Sequence, residues 1–205
     1  CNSLDKVDGN RIASDTNKYI ISMWKALQSG WIPPRRVDRE QYDCIKNNKE
    51  NDLKLTGWVG IACSYSGKWF GGYAGNYPIS RIKKNGLIPN YQDESYNTAI
   101  KQVGLLKGVI FYNLSYEELP IPPNSIIYCD PPYANTTKYK DSFDHEKFWL
   151  WCEKMVHDGH TVFVSEYKAP ANWISVWEGN IISQLSANGK TGGNKTSVEK
   201  LFKLR

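Results

Sequence analysis

Ser125-Ile126-Ile127-Tyr128-Cys129-Asp130-Pro131-Pro132-Tyr133 is a short apolar run that stops at an acid, two prolines and an aromatic ring. The run Ile126–Cys129 is too brief and too uniformly apolar for a helix, and it reads as a fully buried strand of a parallel sheet. Each proline holds φ near about −65° and removes a backbone N–H, so the chain leaves the sheet at Asp130. What remains at the strand's carboxyl end is a carboxylate, carbonyls that join no ladder, and a Tyr on a stiff backbone. Ligands of open α/β sheets bind at that edge.

Such a corner suits one kind of chemistry. The exocyclic amino group of a nucleobase is a poor nucleophile because its lone pair is delocalised into the ring. The Asp130 carboxylate and a proline carbonyl are acceptor-only groups that can take its two N–H hydrogens and localise that lone pair. The Tyr133 ring can stack on the base, a contact worth about 1–3 kcal/mol. A hydrogen bond to a charged acceptor adds about 1.5–3 kcal/mol. Together they can offset the few kcal/mol needed to extrude a base from a duplex.

Asp130-Pro131-Pro132-Tyr133 after an apolar strand resembles the catalytic motif of amino-directed methyltransferases that use S-adenosylmethionine, and Asp in first place resembles their adenine-N6 branch. Other segments resemble the Dam-like DNA adenine-N6 methyltransferases of phage and prophage type, in the same order along the chain. The resemblance implies a Rossmann-like α/β fold, with a mostly parallel sheet closed by an antiparallel C-terminal hairpin. It implies catalytic roles for Asp130, Pro131, Pro132 and Tyr133. It also implies a double-stranded DNA partner and S-adenosylmethionine as the methyl donor.

Upstream, Arg11-Ile12-Ala13-Ser14-Asp15 reads as a brief strand ending in an acid. Thr16-Asn17 can cap a helix over Lys18–Ser29, with Tyr19, Ile20, Met23, Trp24 and Leu27 along one face and Gly30 as its stop. An acid at a strand tip of a nucleotide-binding sheet can accept hydrogen bonds from ribose hydroxyls. In the family, the segment like Asp15, Thr16 and Asn17 does this for the cofactor; the plainer reading of Asp15 is a helix-capping carboxylate. The family also places a strand and a glycine-rich turn ahead of this point. The segment from Cys1 to Val7 resembles the helix after that turn, so the chain is expected to lack the strand and the turn.

Arg35–Leu55 is charged and reads as a surface helix and loop, and Thr56–Ser64 as a short core helix. Tyr65–Tyr77 is glycine-rich, aromatic and basic, with Arg81, Lys83 and Lys84 following. Glycines let backbone approach a ligand, cations meet phosphates and rings stack on bases. Residues 35–100 or so are therefore expected to form a small DNA-recognition insertion, with Lys68, Trp69 and Tyr73 among its contacts. The alternative is an aromatic loop folded onto the domain's own surface. Asp93–Lys107 has helical spacing, and Val109–Tyr112 is a strand whose end, Tyr112-Asn113, lines the cofactor's adenine pocket in the family.

Beyond Tyr133, the polar stretch Ala134–Ser142, with Asn135 and Lys138, is placed to close over an extruded base. Asp144 caps a helix through Val156, and Thr161–Ser165 is another buried strand. Ile181–Leu185 and Ser197–Leu204 read as strands around a loop rich in glycine and lysine. Ser186, Gly189, Lys195, Glu199 and Leu201 there resemble the family's closing hairpin, and Lys190 and Lys195 are candidates for phosphate contact. Strand–helix–strand order from Ile12 onward predicts a parallel sheet with helices on both faces.

Composition narrows the classes. At 205 residues, 40% hydrophobic and 23% charged, the chain is long enough to bury a core as one catalytic domain. A net charge of +5 is compatible with a polyanionic partner. The five cysteines form no C-x-x-C pair and the three histidines do not join them at zinc spacing, so reduced thiols and no metal are expected. No apolar run approaches membrane-spanning length and no leader is visible, which predicts a bacterial or phage-infected host cytosol, no membrane and no obligate protein partner. Two other readings stay open: an RNA amino-group methyltransferase, and an inactive duplex-binding remnant without its cofactor loop.

Overall fold

The computed structural model describes residues 3–76, 86, 88–133, 143–183 and 195–205, with backbone alone at 181–183 and 195–197. The chain divides into two compact units, Cys1–Leu119 and Pro120–Arg205.

The first unit is mainly helical. Strand β1 (Ile12–Ser14) pairs in parallel with β2 (Ile110–Tyr112), Ala13 opposite Phe111. Between them lie α1 (Lys18–Gln28), α2 (Arg39–Asn47), α3 (Leu53–Ala62) and α4 (Tyr91–Leu105). Each helix starts at a short polar side chain that accepts orphan backbone N–H groups: Asn17, Asp38, Asp52 and Asn90. Asp38 and Gln41 complete a reciprocal capping box. Met23 and Leu27 of α1, Tyr42 of α2, and Trp58, Val59 and Ala62 of α3 share one core with Val37, Cys63 and Phe70. The buried apolar residues of α2 and α3 thus pack with α1 in one core. A smaller core of Ile21, Leu106, Val109 and Phe111 lies at the strand pair.

Gln92 shows how the loops are tied down. It is 1% exposed, its Oε1 accepts the Val37 N–H at 2.7 Å, and its Nε2 donates to the carbonyls of Val37 (3.0 Å) and Ala74 (2.7 Å). A buried amide with its acceptor and both donors used fixes two irregular segments at no unsatisfied cost.

The second unit is a four-stranded mixed sheet with one helix. Strands β3 (Ile126–Cys129), β4 (Thr161–Glu166), β5 (Trp173–Ser183) and β6 (Lys195–Leu204) take the order β3-β4-β6-β5. β3 and β4 are parallel, while β4–β6 and β6–β5 are antiparallel. Helix α5 (His145–His157), capped by Asp144, packs on β4 through a face that buries Phe148, Cys152 and Met155. The fold so far expected, one mostly parallel Rossmann-like sheet closed by a hairpin, is thus corrected to a two-stranded parallel sheet and a separate four-stranded mixed sheet. The C-terminal strands do pair antiparallel. Alternating strands and helices set local order but not which strands share a ladder, and Pro120, Pro122 and Pro123 separate β2 from β3 with residues that donate no hydrogen bond.

The organising strand is corrected as well. β3 is an edge strand, not a fully buried one: Ile126 is 78% and Tyr128 48% exposed. A continuous apolar run does not by itself show that a strand is covered on both faces, because that depends on what packs on the sheet. β5 also starts earlier than expected, at Trp173, and absorbs one extra residue between Ser175 and Trp177.

Gly57 makes the α1–α3 crossing possible. A Cβ there would collide with the Tyr19 carbonyl oxygen and come 2.9 Å from Met23 Cβ. Gly57→Ala is expected to cost about 1–3 kcal/mol by overpacking, read as a lowered Tm by circular dichroism; an unchanged Tm would show that the two helices part freely.

Candidate active site

The register of the mixed sheet gathers its acids at one edge. Cys129 lies opposite Val164, so Asp130 leaves β3 level with Ser165 and Glu166 at the end of the parallel neighbour β4. β6 runs the other way with Leu201 opposite Ser165 and Lys200 opposite Glu166, which brings Glu199 to the same edge. Three strands thus deliver Asp130, Ser165, Glu166 and Glu199 beside the Pro131-Pro132-Tyr133 exit.

The Tyr133 hydroxyl sits inside this group. It donates to Glu199 Oε1, and Ser165 Oγ donates to the same oxygen at 2.7 Å. The two hydroxyls are 3.1 Å apart. Hydrogen bonds to a carboxylate are the strong ones, about 1.5–3 kcal/mol each. The edge of the Tyr167 ring meets Tyr133 at 4.7 Å. Burial, then the Glu199 hydrogen bond, push the Tyr133 phenol far above its ordinary value, so it remains a neutral donor at any physiological pH. Glu166 is 1% exposed and accepts the Tyr167 N–H at 2.7 Å. Pro131 is buried, and its carbonyl accepts no hydrogen bond from the described residues.

Asp130 is exposed as a residue, so enclosure acts on only one side of its carboxyl. Its pKa is nonetheless raised, first by burial and then by the negative charge of Glu199, with Glu166 adding to it. The corner is electronegative, with acceptors outnumbering donors.

The carboxyl edge of β1 and β2, in the other unit, collects the second group of predicted residues. Asp15 donates its N–H to the Tyr112 carbonyl at 3.3 Å, and Asn113 Nδ2 donates to the Asp15 carbonyl at 2.9 Å. Asp15 Oδ1 accepts the Asn17 N–H at 2.7 Å, and Asn17 Oδ1 in turn accepts from Tyr19 and Ile20. Asn17, not Asp15, is the helix cap. Asp15, Thr16 and Asn113 are exposed, and Asp15 Oδ2 carries no described hydrogen bond. An acceptor-only oxygen at a parallel strand tip fits the ribose hydroxyls of a nucleoside cofactor.

The aromatic segment divides. Lys68 is exposed, but the Trp69 ring stacks on Tyr19 at 5.5 Å and meets Phe70 at 4.9 Å. It approaches α3 over Gly60, where a Cβ would strike it. Tyr73 donates its hydroxyl to the Val37 carbonyl at 3.0 Å, meets Tyr42 edge-on at 5.6 Å, and carries Arg39 over its ring at 5.0 Å. Both rings are engaged within their own unit. Arg81, Lys83, Lys84, Asn135, Lys138 and Lys190 lie outside the described residues, and of Lys195 only the backbone is described, paired with Ser183.

No protein-family model and no curated protein matches this chain. Among the described residues no helix is long and apolar enough to cross a membrane, and no group of three His, Cys, Asp or Glu side chains is placed to hold a metal ion. Cys44, Cys63, Cys129 and Cys152 are free thiols.

Sequence reasoning did not single out Ser165, Glu166 or Tyr167, and it noted Glu199 only as part of the closing hairpin. The signal was present: Ser165-Glu166-Tyr167 follows an apolar strand as Asp130 does, and polar residues at the carboxyl end of a parallel neighbour meet at the same edge.

Because the pKa of Asp130 is raised in the folded chain, folding gains from its proton below the unfolded value, about 3.9, and that gain is lost as pH rises through the folded value. Asp130→Asn is therefore expected to have a higher Tm than the wild type at neutral pH, with the difference closing as the buffer approaches about pH 4. Melting curves across that range check it; a wild type more stable than the variant at pH 7 would contradict the crowding of acids.

Proposed function

We propose that the chain methylates the N6 amino group of adenine in duplex DNA with S-adenosylmethionine as donor. The observation that carries this reading is the Asp130-Pro131-Pro132-Tyr133 corner, with a carboxylate and a Pro131 carbonyl that accepts no hydrogen bond from the described residues, beside an aromatic ring tethered at its hydroxyl. Adenine extruded from the duplex would stack on Tyr133 and give its two amino hydrogens to Asp130 and the Pro131 carbonyl. Those acceptors localise the nitrogen lone pair, which resonance otherwise withdraws into the ring. The donor, when bound, supplies an electrophilic methyl carbon. Asp15, Thr16, Asn17, Tyr112 and Asn113 would hold its nucleoside, Asp15 Oδ2 accepting from ribose hydroxyls. The ionised Asp130 carboxylate would also accept the proton that the methylated nitrogen must shed.

Exposed Lys68, the net charge of +5, and the cations predicted at Arg81, Lys83, Lys84, Lys138, Lys190 and Lys195, with Asn135, support a phosphate-bearing partner. Free thiols support a reducing, cytosolic setting.

Unmodified duplex, tritiated donor and this chain should yield label on adenine. Asp130→Ala should lower the rate on the order of 10²–10³-fold, the usual effect of deleting one preorganised polar partner. Binding to duplex should weaken steeply as salt rises from about 50 to 200 mM. Label accumulating at an undiminished rate in Asp130→Ala, or preferentially on structured RNA, would replace this reading.

A further inference from the structure

Resting on the methyltransfer reading, we propose that Glu199 is the positioning residue of the corner, holding the Tyr133 ring through its hydroxyl by a charged acceptor shared with Ser165. Tyr133 follows two prolines, so no continuing strand ladder sets its backbone. Among the contacts that hold its ring are the edge contact with Tyr167 and the hydroxyl tether to Glu199, with the Ser165 hydroxyl 3.1 Å away. The tether crosses 66 residues of sequence, so β6 places a ring that lies four residues beyond the end of β3. The β4–β6 ladder has no need of the carboxylate, because Ser165 and Leu201 are already paired through the backbone. Glu199 Oε1 is given instead to two hydroxyls at the sheet's edge.

Sharing that oxygen has a geometric consequence. Ser165, 4% exposed on the interior of β4, fixes the Glu199 head from one side, and Tyr133 reads its position from the other. The ring is thereby pinned at its polar end, which limits the directions its face can take. Misplacement of a reacting group by about 1 Å can cost on the order of 10²-fold in rate.

Charge gives Glu199 a second effect that a merely structural residue would lack. The groups facing Asp130 among the described residues are Glu199 from β6, Glu166 from β4 and Tyr133 from its own loop. Glu199 is the larger of the two negative contributions that keep the Asp130 carboxyl protonated to higher pH. Amino-group capture needs that carboxyl ionised, so activity should fall as pH drops through its pKa. Replacing Glu199 with a neutral acceptor should move this acid limb to lower pH while keeping the ring in place.

The test compares the wild-type full chain with Glu199→Gln, Glu199→Ala and Ser165→Ala. Glu199→Ala should lower kcat for duplex methylation about 10–10²-fold, with a smaller change in KM. Glu199→Gln should recover most of kcat and shift the acid limb downward, and Ser165→Ala should fall between. Carbon-13 signals from labelled Tyr rings and Asp carboxyls give a readout that needs no turnover. Glu199→Ala should broaden or average the Tyr133 ring signals, and Glu199→Gln should lower the Asp130 midpoint. Unchanged Tyr133 signals and an unchanged Asp130 midpoint would overturn the positioning role whatever the activity. Intact coupling in a wild type that places no label on any adenine would instead sink the methyltransfer reading, and with it the reaction Glu199 is proposed to serve.

Discussion

A single carboxylate oxygen, Glu199 Oε1, receives the hydroxyls of Tyr133 and Ser165 and so joins the middle of β6 to the end of β4 and to the segment that follows β3. Everything distinctive in the second unit is arranged around that convergence. A parallel pair carries Asp130 and Ser165 to one edge, and an antiparallel return brings Glu199 back to it. Had β6 been parallel to β4, its residue at this edge would have come from the other end of the strand. The mixed sheet is what lets the chain's last segment help build a site begun some 70 residues earlier, a separation near the 66 that divides Tyr133 from Glu199.

The secondary structure of the chain was legible because its signals are local. Asn17, Asp144 and the apolar spacing after each predicted α1 and α5 correctly, to within a residue or two. Thr56–Ser64 read as a short core helix and α3 lies there, but Tyr42, in a stretch read as a charged surface helix, is 1% exposed in the same core. The sheet was not legible in the same way. Ile126-Ile127-Tyr128-Cys129 looks the same whether the strand is central or at an edge, and nothing within nine residues says that Ile126 is 78% exposed. Pairing is a long-range property, set by which strand ends meet.

The candidate site divides along the same line. Asp130 and Tyr133 stood out because proline chemistry marks them locally, and Asp15 and Asn113 because they end apolar strands. Their partners were harder to see. Glu199 acquires its meaning only from the register that sets Leu201 opposite Ser165. Trp69 and Tyr73 show the converse: aromatic residues among glycines resemble a ligand-facing loop, yet Gly60 exists to admit the Trp69 ring and Tyr73 is hydrogen-bonded to Val37. Glycine next to an aromatic ring permits close approach by the protein's own side chains as readily as by a ligand.

The charge of the corner bears on what it can accept. The chain is positive overall, but Asp130, Glu166 and Glu199 make this edge locally negative. A phosphate brought here would meet three carboxylates at a separation where Coulomb repulsion in a partly desolvated setting is several kcal/mol. A neutral base whose exposed group is an N–H donor meets acceptors instead, and a cationic sulfonium would be attracted. Under the proposed function the same acids therefore select against the DNA backbone and in favour of the two groups that must meet. That selection comes at a cost in stability, since Asp130 holds its charge against its neighbours. Placement of a repelled carboxylate on an exposed strand edge, where water relieves it on one side, keeps that cost small while leaving the acceptor available to a base.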